Sequence, residues 1–218
     1  GPNWDLDALL DGLGESYRIM QCSMKAFPTE ALTHTHISAT IKLVSEHDIQ
    51  PEDIESVTIT TIARAVDILF DPHKYRPESR ETADHSLPYC ISVALVDRQL
   101  TPTSFSDEKL KDPRIWNTID KIKGEASIEF EEMFPAKQPS KVKIVLKDGS
   151  EHIQYLEYPK GDPREPMSIN DLTVKFNALS SDHFSDAELA QLNELIFSCE
   201  TMSARNFMEK LIVRENKK

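Results

Sequence analysis

The chain has 218 residues, with 25 Lys and Arg against 37 Asp and Glu, a net charge of −12 at pH 7, and a hydrophobic fraction of 39%. That length suits one large domain or two small ones with a true core, and the composition is ordinary for a globular protein. The charge argues against nucleic acid or an anionic membrane as a partner, since both repel it, and no apolar run nears the ~20 residues of a membrane span.

Taken in chain order, residues 4–13 ("WDLDALLDGL") have helical spacing, and glycines end the run. "YRIMQCSMKAF" (17–27) alternates loosely and is expected to be a strand leading to Pro28. From Thr29 to Val44, apolar Leu32, Ile37, Ile41 and Val44 recur at a helical period. "PED" at 51–53 is a turn, and the β-branched, alternating "IESVTITTI" (54–62) predicts a strand. A loop rich in Pro, His and Arg (71–81) leads to "TADHSLPYCISVAL", a helix expected to run to about Asp97. Over 106–122, a Ser106 cap and acidic first turn predict one short helix, and Pro113 starts another. "KVKIVLKDGSEHIQYLEY" (141–158) reads as a hairpin, with Asp148-Gly149 between two alternating strands. The proline-rich loop 159–166 marks a module boundary. Three helices follow from Ser168. Ser185-Asp186-Ala187-Glu188 opens the middle one, and Leu189, Leu192, Leu195 and Ile196 share one face of it. The sum is an α+β fold: a small antiparallel sheet of three to four strands covered by helices, then a short all-α segment.

Cys22, Cys90 and Cys199 are odd in number, scattered and free of any C-x-x-C spacing. They fit a reducing, intracellular compartment and argue against an iron–sulfur cluster or zinc knuckle. No signal peptide is visible. The opening Gly1-Pro2, with no initiator Met, reads as a remnant of an added leader, so a fragment of a longer protein is expected.

Several residues carry candidate chemistry. Pro28 disfavours helical geometry at Phe27, which leaves Lys25 in extended chain near a helix start. There its charge would add to the positive helix end and suit a carboxylate ligand; taken alone, it reads as a solvated lysine. His34 and His36 are two apart and point to different sides of a helix, and H-E-x-x-H is absent, so no metal site is expected. Glu30, Thr33, His34 and Ile37 share a face that either lines a cleft or is a wet helix end. His85 and Tyr89 stack at i, i+4; alone, Tyr89 reads as a core tyrosine with its hydroxyl on a backbone group. "DPREP" (162–166) and "HKYRPESR" (73–80) could bind anions, although loop charge more often serves solubility.

Taken together, "MKAFPTEALTHTHISA", "ADHSLPYCISVALVD", "DPRI" and the "LKDG" hairpin, in this order, resemble the MmgE/PrpD family, which includes 2-methylcitrate dehydratase and cis-aconitate decarboxylase. The resemblance covers nearly the whole chain but only the C-terminal half of a typical member. It implies a connector (1–22) from a missing N-terminal helical domain, an α+β lid (23–165), and C-terminal helices (166–218) that return to that domain. It also implies a homodimer with a cleft active site, located in the cytoplasm or, in a eukaryote, the mitochondrial matrix. The implied activity is that of a cofactor-independent hydro-lyase on a small tricarboxylic acid, most directly 2-methylcitrate in propionate breakdown. Decarboxylation of cis-aconitate is the alternative, and a non-catalytic lid subunit of a split enzyme a third. Lys25 matches the family's carboxylate-binding lysine, Glu30 a position that is Glu in methylcitrate dehydratases and His in some decarboxylases, and His85 and Tyr89 the D-H-x-x-x-Y helix. With His34, these five are the expected substrate-binding residues. The family's Asp and His acid–base pair would lie in the missing domain. "TEALTHTH" departs from the "AEFH" pattern of bacterial methylcitrate dehydratases.

Overall fold

The computed structural model describes residue 5 and residues 7–211. A four-stranded mixed sheet carries the fold, in the order β2-β1-β3-β4, with β1 at Ile54–Thr61, β2 at Ile122–Ala126, β3 at Ser140–Leu146 and β4 at Glu151–Leu156. β1 and β2 run parallel, with Val57 opposite Ile122; β1–β3 and β3–β4 are antiparallel. The all-antiparallel expectation therefore gives way to a mixed sheet. β2 went unanticipated because "IKGEA" buries only Ile122 and has no apolar alternation.

In β1 the buried positions are Ile54, Val57, Ile59 and Thr61. The step from 54 to 57 breaks strict alternation, and the β1–β3 register shifts between Ile54 and Ser56. A bulge there re-phases the strand so that its apolar side still meets the helices. The edge strand β4 differs: it turns Ile153 and Tyr155 outward, 55% and 40% exposed.

The helical cover consists of α1 (His34–Glu46), α4 (Leu87–Asp97) and α5 (Pro113–Ile119); α1 packs on β3, β4 and α4, and α4 on α5 and β2. α4 is the central element. Every residue from Leu87 to Leu95 is buried, as expected of a helix apolar all round. Ser86 caps it by accepting from the Tyr89 amide at 3.1 Å, Pro88 sits in the tolerant first turn, and Arg98 ends it in the left-handed region at φ 53°. The short helices α2 (Ala63–Leu69), α3 (Arg80–Asp84) and α6 (Ile128–Met133) fill the connections.

After the sheet come α7 (Ile169–Ser180), α8 (Asp186–Phe197) and α9 (Ala204–Lys210). α7 and α8 open on reciprocal Ser168/Asp171 and Ser185/Glu188 capping boxes. Two expectations near the start fail. The 17–27 segment forms a 3₁₀ turn at Arg18–Gln21 and then irregular chain, because no sheet edge is offered to its alternation. Of the 4–13 helix, residues 4 and 6 lie outside the described residues; the rest makes one 3₁₀ turn, Asp7–Leu9, followed by turns. Likewise Ser106 starts no α-helix, and only Lys109–Lys111 winds into a 3₁₀ turn before α5. Among the described residues, no helix is long and apolar enough to cross a membrane.

Candidate functional site

The chain around Lys25 is held from three directions. The Met24 amide donates to the Gly161 carbonyl at 2.9 Å, the α7 ammonium of Lys175 donates to the Lys25 carbonyl at 2.6 Å, and Lys25 Nζ donates to the Thr29 carbonyl at 2.8 Å. Segments 137 and 150 residues away thus fix one short stretch. The Gly161 loop is itself pinned, since the Arg164 guanidinium forks onto the Asp162 carboxylate at 2.7 and 2.9 Å and lies over the Tyr158 ring at 4.0 Å. The charge of "DPREP" is therefore used largely inside the loop.

Lys25 lines three adjoining clefts. The first, about 440 Å³, is mainly apolar, with Phe27, Ile41, Leu100, Val174 and Leu179 in its walls. The second, about 400 Å³, is polar, with His34, Lys137, Lys160, Asp162 and Arg164. The third, about 430 Å³, holds Glu30, Asp84 and His85. Lys25 alone of these four cations has no carboxylate partner, since Lys137 pairs with Glu157, Lys160 with Asp171 and Arg164 with Asp162.

Glu30 caps the 3₁₀ turn before α1, its Oε2 accepting from the Leu32 amide at 2.6 Å, and its own amide donates to the Asp84 carbonyl at 3.1 Å. That backbone bond sets Glu30 beside the Asp84–His85 pair, in which His85 Nδ1 makes a short contact with Asp84 Oδ1. His85 remains half exposed and free to meet a ligand.

His34 is 3% exposed, and its Nε2 has no hydrogen-bond partner. Burial pushes its pKa down to about 4; a hydrogen bond to the Thr29 backbone opposes this, and the charges of Lys25 and Lys175 add to it. The imidazole is therefore neutral near pH 7. His36 points the other way into the core, where its Nδ1 meets Ser140 Oγ at 2.6 Å. Among the described residues, no group of three or more His, Cys, Asp or Glu is placed to hold a metal ion.

Tyr89 does not join the other four. It is 0% exposed, lines none of the three clefts, donates its hydroxyl to the Ser104 carbonyl at 2.8 Å, and packs its ring 5.9 Å from Phe105. The physical reason is the helix it sits on: α4 is buried on every side, so the i, i+4 stacking with His85 cannot turn it toward the cleft. Lys137, Lys160 and Lys175 were not legible from sequence. They lie more than a hundred residues from Lys25, and lysine spacing carries no signal over that distance.

A mixed α+β fold with a lysine at the junction of three clefts is what the structure defines, and the chain belongs to the MmgE/PrpD family: the family's C-terminal domain matches residues 27–198. Its relatives include the cis-aconitate decarboxylase of Aspergillus terreus (strain NIH 2624 / FGSC A1156), 23% identical over 93% of this chain and 42% of the relative. The cis-aconitate decarboxylase of Mus musculus is 26% identical over 73% of this chain and 33% of its own length. A probable 2-methylcitrate dehydratase of Saccharomyces cerevisiae is 28% identical over 74% and 33%. The chain thus spans less than half the length of these curated relatives.

Proposed function

We propose that this chain is the lid and C-terminal part of a cofactor-independent lyase acting on a citrate-like tricarboxylic acid, most directly a dehydratase of 2-methylcitrate. The observation that carries the reading is Lys25: a cation with no carboxylate partner, at the junction of three clefts, with Glu30 and His85 across one of them. In the reaction a base removes the proton α to a carboxylate, the β-carbon–oxygen bond breaks, and the hydroxyl leaves as water with a proton from an acid. Negative charge builds on the carboxylate, and the Lys25 ammonium stabilises it. The acid and base belong to the part of the protein outside this chain, which also supplies the rest of a homodimeric assembly.

A second reading, loss of CO₂ from cis-aconitate, is favoured by the names of the Aspergillus and mouse relatives. Glu30, where some decarboxylases have His, favours dehydration. Incubating the longer protein with 2-methylcitrate, citrate and cis-aconitate and identifying products by mass decides between them. Loss of water from 2-methylcitrate is expected, and Lys25→Ala should lower kcat/KM by roughly 10²-fold with folding intact. Turnover of none of the three acids would overturn the reading.

A further inference from the structure

The two edges of the sheet differ in how they are protected. β2 is guarded: it is five residues long, carries exposed Lys123 and Glu125, and lies so close under Phe70 that a Cβ on Gly124 would sit 2.5 Å from the ring. β4 has no such guard. Its six residues, Glu151–Leu156, keep one unbroken register with β3, include neither Pro nor Lys, and leave Ile153 and Tyr155 exposed. The hairpin sets the phase of the backbone. Leu146 donates to the Ser150 carbonyl at 2.9 Å, so Ile144, Val142 and Ser140 exchange backbone bonds with His152, Gln154 and Leu156. Glu151, Ile153 and Tyr155 therefore turn their N–H and C=O groups away from the sheet. Among the described residues only the Tyr155 carbonyl is met, by the Gln154 side-chain amide at 2.9 Å. Unpaired backbone groups beside exposed apolar side chains are a template for another strand.

We propose that this strand is β4 of a second copy of the chain, paired antiparallel about a two-fold axis at Ile153, so that two four-stranded sheets join into one. In that register Ile153 faces its own copy, Glu151 faces Tyr155, and His152 faces Gln154. On the open face the two Ile153 side chains meet at the axis, each flanked by the Lys143 opposite it on β3. Glu151, held by Lys143 at 2.7 Å, comes beside a tyrosine and not another carboxylate. On the other face Gln154 donates through Nε2 to its own chain and keeps Oε1 to accept from the facing His152 ring. Sliding one strand by two residues spoils the match. One direction sets Glu151 opposite Glu157; the other sets His152 opposite itself and Ile153 opposite Glu151. Charge and apolar complementarity thus select one self-pairing. It is independent of the proposed function, whose homodimer is an assembly of the longer protein.

The test uses the 218-residue chain carrying Leu179→Glu, a change at a 53% exposed position of α7 that removes an apolar contact elsewhere on the surface. An interface of this size is weak, so the mass by light scattering should rise from 24.8 kDa toward twice that value between about 10 µM and 1 mM. Over the same range, hydrogen exchange at the Glu151, Ile153 and Tyr155 amides should slow by about 5-fold or more, while His152, Gln154 and Leu156, already bonded to β3, stay constant. Mixed labelled and unlabelled chains should show a contact between copies at the His152 and Gln154 Hα protons, which a non-hydrogen-bonded pair brings together. Ile153→Lys, at a position more than half exposed, should keep the urea midpoint and weaken the dimer by at least about 10-fold, because two ammoniums would meet at the axis. A monomer at every concentration, association with unslowed β4 amides, contacts in another register, or a dimer undisturbed by Ile153→Lys would each overturn the pairing. The exchange and contact readings need no change at Ile153, so they decide the matter if that variant fails to fold.

Discussion

At the scale of single residues, burial decides between chemistry and packing. Tyr89 has the sequence context of a site residue and the environment of a core residue. Burial raises its phenol pKa, and its hydroxyl is bonded to a carbonyl rather than offered to a cleft. Tyr89→Phe keeps the ring and strands the Ser104 carbonyl, so stability should fall by about 1–2 kcal/mol with the kinetics of the longer protein unchanged. A loss of activity at constant melting temperature would return Tyr89 to the site. The two buried histidines make a different prediction. Both have folded pKa values below the unfolded 6.5: His36 is pushed down to about 3 by burial, and His34 to about 4. Between those limits the unfolded chain binds more protons than the folded one. Stability is therefore complete above pH 6.5 and is lost as pH falls toward 4, at up to about 1.4 kcal/mol per pH unit for each ring. The carboxylates held down by ion pairs, Asp112 and Asp162, withdraw their stabilisation only below their ordinary range near 3.8. Glu108 and Glu157 are also held down, from an ordinary value of 4.5, so urea midpoints from neutral pH to about 5.5 isolate the histidines, and a flat profile would show that these rings reach water.

At the scale of elements, legibility followed local pattern. α4, α5, β1, the β3–β4 hairpin and the capping box of α8 each announce themselves through a cap, a proline or a turn within a few residues. β2 was invisible because its place is earned by pairing with β1, a long-range contact that leaves no period in "IKGEA". The 17–27 strand failed for the reverse reason, a pattern with no partner. The site divides the same way. Lys25, Glu30 and His85 stood out through their motifs, whereas the loop that holds Lys25 in place read only as a proline-rich boundary. Gly161 explains how that loop works: its φ is +94°, and a Cβ there would lie 1.9 Å from the Met24 carbonyl oxygen. Gly161→Ala should therefore cost about 2–4 kcal/mol or detach residues 23–27 from the loop, seen as a lower urea midpoint and new proteolysis near Lys25. Gly149→Ala is the control. Its φ is +86°, but nothing lies within 4 Å of the added Cβ, so only the strain of about 1 kcal/mol remains. Equal effects of the two would mean that the Met24 contact does not organise the site.

At the scale of the whole molecule, the exposed apolar surface lies on α7 and near the start of the chain rather than on the apolar face of α8. If residues 166–218 return to a domain outside this chain, Leu189, Leu192, Ile196 and Phe207 are expected to face water. The structure buries Leu189 and Leu192 to 3% and 8% exposure, and Ile196 and Phe207 are partly covered. Instead Ile169, Val174 and Leu179 of α7 are 65%, 58% and 53% exposed, and Leu9, Leu10, Leu13, Ile19 and Met20 are more exposed still. Water contact at so many large apolar side chains favours association, because burying each Leu or Ile is worth about 1.5–3 kcal/mol. The chain should therefore fold around its sheet yet show a concentration-dependent solution mass above 24.8 kDa by light scattering. Leu179→Glu should lower that association without lowering the urea midpoint, since the position is more than half exposed. The same chain should dehydrate no 2-methylcitrate, as followed by the ultraviolet absorbance of the unsaturated product, because catalysis needs an acid–base pair and a closed, dry cleft. Measurable turnover by the monomer would refute the placement of that pair outside the chain and turn attention to His34 and His85, the histidines that line the clefts around Lys25.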